Sequence, residues 1–165
     1  MIMIIRIIIF TVLLTSLLIA QDKREFVSPD KSTKIVVSDF KHEGASQESS
    51  IRIVNIRGTV LFDTSFTSED GEHGSGVDQT AWTTNSQFFV FSLASSGGHQ
   101  SWHYPTFAYS VSKNRLISLD AVLGPVTSEF RLIQPDSLVT VGFTTNIDEE
   151  VEFHLRLSSL IKEIK

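Results

Sequence analysis

Residues 82–91 read Trp82-Thr83-Thr84-Asn85-Ser86-Gln87-Phe88-Phe89-Val90-Phe91. A hydrophobic residue comes first, a turn built on Asn-Ser follows, and an apolar strand ends the stretch. Asparagine favours such a turn because its side chain can hydrogen-bond the backbone two residues further on. Two other versions of this pattern stand about 50 to 56 residues away, a period typical of repeated β-sheet units. They are Phe26-Val27-Ser28-Pro29-Asp30 before Ile35-Val36-Val37, and Ile133-Gln134-Pro135-Asp136-Ser137 before Val139-Thr140-Val141.

Short runs with a period of two predict strands over most of the chain after residue 25, because alternate side chains of a strand share a face. The runs are residues 34–38, 50–56, 60–62, 87–93, 106–111, 115–119, 129–133, 138–143 and 151–157. Hairpin turns are predicted at Arg57-Gly58, at Lys113-Asn114 and at residues 146–149, and a helix only at residues 158–165. The sequence therefore predicts an all-β fold, an antiparallel meander of about ten strands.

The repeated turn resembles the WD-like, Pro-Asp-type β-propeller repeats of periplasmic Tol-system propellers and of the propeller domains attached to dipeptidyl peptidases. The resemblance covers most of residues 26–143 and implies blade-like sheets. The usual glycine after the aspartate is replaced by Lys31, by Gln87 and by Ser137-Leu138. The chain holds material for about two and a half blades, fewer than the four of a closed ring. We expect partial propeller-like blades completed by oligomerisation, or a β-sandwich, since a lone arc would leave sheet edges open.

The N-terminal segment has the layout of a secretory signal peptide. Residues 1–20 contain 16 hydrophobic residues and a single charge, Arg6, and a sharply polar stretch begins at Gln21. The apolar core is shorter than a membrane span, which favours a cleaved signal peptide. The alternative is an uncleaved N-terminal anchor, which would be the chain's attachment to a membrane. The chain is therefore divided into a signal peptide, residues 1–20, and one all-β domain, residues 21–165, exported to the periplasm or the exterior.

Composition excludes several classes of protein. The chain has 165 residues with 19 acidic and 14 basic side chains, and it has no cysteine. The missing cysteines exclude a disulfide scaffold and a zinc-thiolate fold. An acidic domain lacks the basic surface that phosphate binding requires, so we expect no nucleic-acid partner.

Two loops beside the central apolar strand are the candidate functional site, since loops on a rigid sheet are where function concentrates. Residues 69–78 precede the Trp82 strand and residues 95–105 follow the Phe88 strand. A divalent metal such as zinc is one candidate ligand, because imidazole nitrogens and a carboxylate could bind it and leave an open position. Its ligands would be His73, His99, His103 and Asp78. The alternative is that these histidines only hydrogen-bond backbone within glycine-rich turns.

Aromatic residues of the same loops suggest binding of an organic ligand. Trp102, His103 and Tyr104, with His73 and His99 nearby, could stack on a sugar ring or grip a peptide. The alternative is that Trp102 folds inward over the sheet, and Trp82 is expected to lie in the core. Candidate partners are a carbohydrate, a peptide or another envelope protein.

Motifs for catalysis are missing. There is no Gly-x-Ser-x-Gly elbow, phosphate loop or dinucleotide fingerprint, and Ser-x-x-Lys recurs too often to be informative. Asp70, Glu72 and Asp78 could pair for glycoside hydrolysis, but an acidic loop is usually a solvated one. The favoured interpretation is therefore an exported binding or interaction module. The alternative is a small metal-dependent hydrolase that uses the same loops.

Overall fold

A computed structural model describes residues 21–41, 47–144 and 149–161. The signal peptide predicted at residues 1–20, most of the turn predicted at 146–149 and the end of the helix predicted at 158–165 lie outside these ranges. Within them the chain forms eleven strands and two helices of one turn each. The strands are β1 Gln21–Val27, β2 Thr33–Phe40, β3 Glu48–Asn55, β4 Val60–Ser65, β5 Ser75–Trp82, β6 Phe88–Ser95, β7 Thr106–Ser110, β8 Arg115–Ser118, β9 Arg131–Ile133, β10 Ser137–Phe143 and β11 Glu150–Arg156. The helices are α1 Asp120–Leu123 and α2 Leu157–Leu160.

The strands make three antiparallel sheets, each an up-and-down meander in chain order. The orders are β1-β2-β3-β4, β5-β6-β7-β8 and β9-β10-β11. We number the sheets 1, 2 and 3. Four-stranded antiparallel sheets of this kind are the blades of β-propellers. The all-β antiparallel fold predicted from the sequence is thus confirmed, and the order of strands is propeller-like.

Sheet 2 lies between the other two sheets, and β6 shows this most directly. Phe89, Phe91 and Leu93 pack against sheet 1, whereas Phe88 and Val90 pack against sheet 3. A strand covered on both faces favours apolar residues at consecutive positions rather than at alternate ones, which explains the unbroken run at Phe88–Phe91. Ser92, also buried, accepts the N–H of Gln79 at 3.3 Å. Sheet 1 contributes alternate residues of β2 and β3 to the first core, namely Ile35, Val37, Ile51 and Ile53.

The repeated turn keeps the same hydrogen bonds in its first two copies. Ser28 Oγ donates to Asp30 Oδ1 at 2.7 Å and accepts the N–H of Thr33 at 3.0 Å. Thr83 Oγ1 donates to Asn85 Oδ1 at 2.8 Å and accepts the N–H of Phe88 at 3.0 Å. Both turns therefore close through a hydroxyl at the first position and an Asp or Asn side chain two residues on.

The three turns lie side by side at one end of the stack. The N–H of Asp30 donates to Ser86 Oγ at 3.0 Å, and the N–H of Thr84 donates to Gln134 Oε1 at 2.7 Å. The third turn has a different backbone, in which only residues 134–136 separate β9 from β10. Its Gln134–Pro135 peptide bond is cis. The sequence repeat is thus a row of contacting turns that align the three sheets.

The outward faces of sheets 1 and 3 are charged. On sheet 1, Arg52 Nη2 lies 2.7 Å from Asp63 Oδ2, and Lys34 Nζ lies 3.0 Å from Glu25 Oε1. On sheet 3, His154 Nε2 lies 2.8 Å from Glu152 Oε1. Exposed apolar side chains accompany these ion pairs on sheet 1, since Val27 and Val60 are half exposed.

Several boundaries differ from those predicted. Strand β1 was not predicted, because its first five residues are polar and lie on the edge of sheet 1. Residues 75–78, predicted as part of a loop, belong to β5, whose alternation is hidden by Gly76 and by a bulge between Val77 and Thr80. Helix α1 was not predicted either. No helix among residues 21–41, 47–144 and 149–161 is long and apolar enough to cross a membrane.

Candidate functional site

The two loops predicted as the site meet at one end of sheet 2. The first connects β4 to β5, and the second connects β6 to β7. A Cβ atom at Gly97 would collide with the carbonyl oxygen of Glu72, so only glycine lets the two backbones approach this closely. Ser96 strengthens the contact, since its N–H donates to the carbonyl of Gly74 at 3.0 Å.

A buried carboxylate holds both loops in place. Glu48, at the start of β3, is fully buried. Its Oε1 atom accepts hydrogen bonds from Ser68 Oγ at 2.7 Å, from the N–H of Gly74 at 2.7 Å and from Ser96 Oγ at 3.0 Å. Its Oε2 atom accepts the N–H of Ser68 at 2.8 Å. Burial alone would raise the pKa of Glu48, but these four hydrogen bonds outweigh it and lower the pKa below its usual value.

Between the loops lies a pocket of about 260 Å³, which we call the histidine pocket. Its walls bring together all three of the loop histidines that the sequence singled out. It is lined by His73, Gly74, Ser75, Ser95, His99, Gln100, His103 and Pro105. The structure thus places side chains of both predicted loops, residues 69–78 and 95–105, around one pocket.

His73 and His103 are each oriented by an aspartate. His73 Nδ1 lies 2.6 Å from Asp70 Oδ2, in the exposed part of the first loop. His103 Nε2 lies 2.7 Å from Asp120 Oδ2, and this pair is largely buried. The second Asp120 oxygen accepts the N–H of Thr106 at 3.2 Å, which fixes the carboxylate. One nitrogen of His73 is therefore engaged, whereas both nitrogens of His103 have partners, since its Nδ1 lies 3.5 Å from Gln100 Oε1.

Asp70 is kept ionised by its own loop. The N–H of Glu72 and the ring of His73 hydrogen-bond its carboxylate and lower its pKa well below the usual range. His99 stacks on His73, with ring centroids 5.4 Å apart and planes 10° apart. The pocket wall thus combines two stacked imidazoles with a permanent negative charge behind one of them.

Trp102 lies beside the pocket and is half exposed. Its ring stacks on His103, with centroids 5.4 Å apart, and meets the edge of Phe143 at 5.9 Å. Tyr104 is half-buried, and its N–H donates to the carbonyl of Val126 at 2.9 Å, which ties the second loop to sheet 3. Trp102 therefore contacts the rim of the site instead of folding into the core. Trp82 packs against the core of sheets 1 and 2 as expected.

Asp78 does not line the pocket. It is exposed on the bulge of β5, three residues beyond the pocket residue Ser75. Among the described residues, no three His, Asp or Glu side chains are grouped so that they could hold a metal ion. Binding of zinc at His73, His99 and His103 therefore requires some of these side chains to turn, and it stays a prediction.

Sequence reasoning missed three residues of the site. Asp120 lies 17 residues after its partner His103, and Glu48 lies 20 residues before its partner Ser68. Because only the fold brings these pairs together, no local sequence pattern reveals them. Asp70 was noted as an acidic loop residue, and its position three residues before His73 was the signal of the pair.

The fold and the site define a class of protein rather than a family: an all-β chain of meander sheets with a polar pocket between two loops. No protein-family model matches the chain, and no curated protein matches it. Among solved structures, one that matches is the β-propeller domain of the Trilobed protease from Pyrococcus furiosus, described as having an open velcro topology. Identity is 9%, the TM-score is 0.48, and the match covers 84% of this chain. The chain spans 40% of that protein's length.

Proposed function

We propose that the protein is an exported, non-enzymatic binding module that takes one sugar ring of a carbohydrate into the histidine pocket. The observation that carries the proposal is the convergence of His73, His99, His103 and Gln100 from two separate loops on one pocket. Imidazole and amide groups both donate and accept hydrogen bonds, as sugar hydroxyls require. The apolar leader at residues 1–20 supports export.

The size of the pocket limits the ligand. Sites for drug-sized molecules usually enclose about 300–1,000 Å³. A pocket of about 260 Å³ lies below that range and suits a single ring. Trp102, stacked on His103 at the rim, offers an aromatic face of the kind that packs against an apolar sugar face. A peptide would occupy the same pocket with one side chain only.

Saturation-transfer NMR with glucose, galactose, mannose and N-acetylglucosamine tests the proposal. We expect at least one monosaccharide to bind, and Trp102→Ala to weaken its binding about tenfold or more while the melting temperature changes little, because Trp102 is half exposed. Gln87→Ala, an exposed glutamine on the turn at the opposite end of β6, is the matched control. Saturation transfer from none of the sugars, or equal binding by Trp102→Ala, would contradict the proposal.

A metal-dependent hydrolase is the second candidate, and one observation favours it. His73 and His103 are each hydrogen-bonded to an aspartate through one ring nitrogen, which is how metal-binding histidines are usually oriented. His73 Nε2 could then bind zinc together with His99, and His103 Nδ1 could join them once Gln100 turns away. Stoichiometric zinc in the purified protein, lost in a His73→Ala variant, would favour this function over sugar binding.

A further inference from the structure

Strand β11 lies at an open edge of sheet 3. In sheets 1 and 2 a fourth strand, β4 or β8, covers the outer side of the third strand. In sheet 3 the third strand is β11, and no strand pairs with its outer side within the described ranges. An uncovered strand edge presents unpaired N–H and C=O groups to any other strand that can align with it.

The register shows which backbone groups are free. The N–H of Thr127 donates to the carbonyl of Val141 at 2.9 Å, so the backbone groups of Val141 point to the edge of β10 that faces away from β11. Glu152 stands opposite Val141 across the β10–β11 ladder. Since bonding directions alternate along an antiparallel strand, the N–H and C=O groups of Glu152 and His154 point to the open edge.

The sequence of β11 is complementary to itself when one copy is reversed. Its seven residues are Glu-Val-Glu-Phe-His-Leu-Arg, with acids in the first half and bases in the second. We propose that β11 pairs antiparallel with β11 of a second copy of this chain, about a two-fold axis at Phe153. In that register Glu150 faces Arg156, Glu152 faces His154, Val151 faces Leu155 and Phe153 faces itself.

Backbone and side chains agree on this register. Glu152 of each copy faces His154 of the other copy in a hydrogen-bonded pair. These two central pairs supply four N–H···O bonds from the backbone groups that point outward. Phe153 then falls in a non-hydrogen-bonded pair, where Cα atoms are about 4.5 Å apart and side chains approach most closely. The half-buried Val151, Phe153 and Leu155 gain cover on their shared face.

Other registers are less favourable. Moving the axis to Glu152 places two glutamates directly opposite each other. Moving it to His154 keeps Glu152 opposite Arg156 but places Glu150 opposite Ser158, which is not a base. Like charges in cross-strand positions destabilise a pair, whereas opposite charges stabilise it. With the axis at Phe153, every acidic residue of β11 faces a basic residue of the other copy. This register therefore favours a second copy of the chain as the partner, in a single orientation.

Charge reversal at two positions of β11 tests the proposal. The protein is purified with or without residues 1–20, whichever form accumulates in the cell. Glu150→Arg places two bases opposite each other, and Arg156→Glu places two acids opposite each other. Both positions are exposed, so neither change should unfold the chain. We expect each variant to dimerise about tenfold more weakly or worse in sedimentation velocity, and an equimolar mixture of the two to recover a heterodimer. Asp22→Arg, the same kind of change on edge strand β1, should leave the dimer unaffected.

Cross-linking reports the register independently. The natural chain has no cysteine, so Phe153→Cys introduces a single thiol. We expect mild oxidation to give a disulfide-linked dimer, because Cβ atoms of a directly opposed pair lie within disulfide range. Asp63→Cys on edge strand β4 should stay monomeric on the denaturing gel. The proposal is overturned by a protein that is monomeric up to about 100 µM, by single-charge variants as dimeric as the parent chain, or by a mixture that does not associate.

Discussion

Glu48 shows how one buried charge can organise a site that it does not line. The carboxylate is fully buried, and no cationic side chain of the described residues is paired with it, yet each of its oxygens accepts hydrogen bonds from the loops around the histidine pocket. An ionised carboxylate is stable in such a place because several donors replace its lost water. The position of the loops therefore depends on the ionised form of one side chain in sheet 1.

Glu48→Gln should lower the free energy of unfolding by about 1–3 kcal/mol, because an amide nitrogen would face the N–H of Ser68 and leave buried donors unpaired. Urea unfolding at neutral pH measures the change. Glu72→Gln, an exposed change in the neighbouring loop, should cost less than about 0.5 kcal/mol. Equal losses in the two variants would show that Glu48 has no special role.

The same pair of proteins should differ in acid. Since folding lowers the pKa of Glu48 below its usual 4.5, the carboxylate stabilises the fold above that pH, and this contribution is lost as the pH falls through the lower folded value. The glutamine variant has no such contribution to lose. The stability difference between the parent chain and Glu48→Gln should therefore shrink below pH 4.5.

Local patterns revealed the histidines of the site but not the residues that orient them. His73, His99 and His103 stood out because they cluster in glycine-rich loops beside an apolar strand. Asp120 lies on a helix of one turn whose formation depends on tertiary packing, and it reaches His103 only when the second loop folds back over β7. Long-range pairs of this kind have no period or spacing in the sequence.

At the scale of elements, the recurring turn is the unit that aligns the sheets. In its first two copies the residue after the Asp or Asn has a positive φ, 61° at Lys31 and 60° at Ser86. The sequence pattern predicts that Gln87 replaces the usual glycine in the second copy. The structure instead has the positive φ, which glycine would favour, at Ser86. Left-handed conformations are unfavourable for residues with a Cβ atom, so both turns carry a local cost.

Lys31→Gly should therefore stabilise the protein by up to about 1 kcal/mol, after the greater freedom of glycine in the unfolded chain is subtracted. Ser86→Gly removes the same cost but also the hydroxyl that accepts the N–H of Asp30, so it should gain less or lose stability. Thermal unfolding of the two variants measures the difference. A lower melting temperature for Lys31→Gly would contradict this account of the turn.

Alternation predicted the strands that have one face in a core and one in solvent, such as β2, whose residues are alternately buried and half-buried. Alternation did not predict a strand on a sheet edge or a strand that contains a bulge. Strand β1 begins with polar residues on a sheet edge, and β5 contains a bulge that breaks the period of two. Edges and bulges relax the requirement for alternation, so a periodicity analysis does not detect them.

At the scale of the whole molecule, the number of sheets raises the question of what covers the ends of the stack. Length alone suggested an incomplete ring that other copies would have to close. The outward face of sheet 1 instead carries Arg52 paired with Asp63 and Lys34 paired with Glu25. Solvated ion pairs of this kind contribute little to stability, and they are compatible with a face that is exposed to solvent.

Neighbouring residues of β3 test whether that face is free. Ile53 is completely buried and points to sheet 2, while Arg52 points outward and is exposed. Ile53→Ala should cost about 2–5 kcal/mol in urea unfolding, the usual loss for a large buried aliphatic side chain. Arg52→Ala should cost less than about 0.5 kcal/mol, because its ion pair with Asp63 is exposed to solvent. A loss above about 1 kcal/mol from Arg52→Ala would show that another copy covers sheet 1, as a ring requires, and would favour ring closure over a stack whose association occurs at β11.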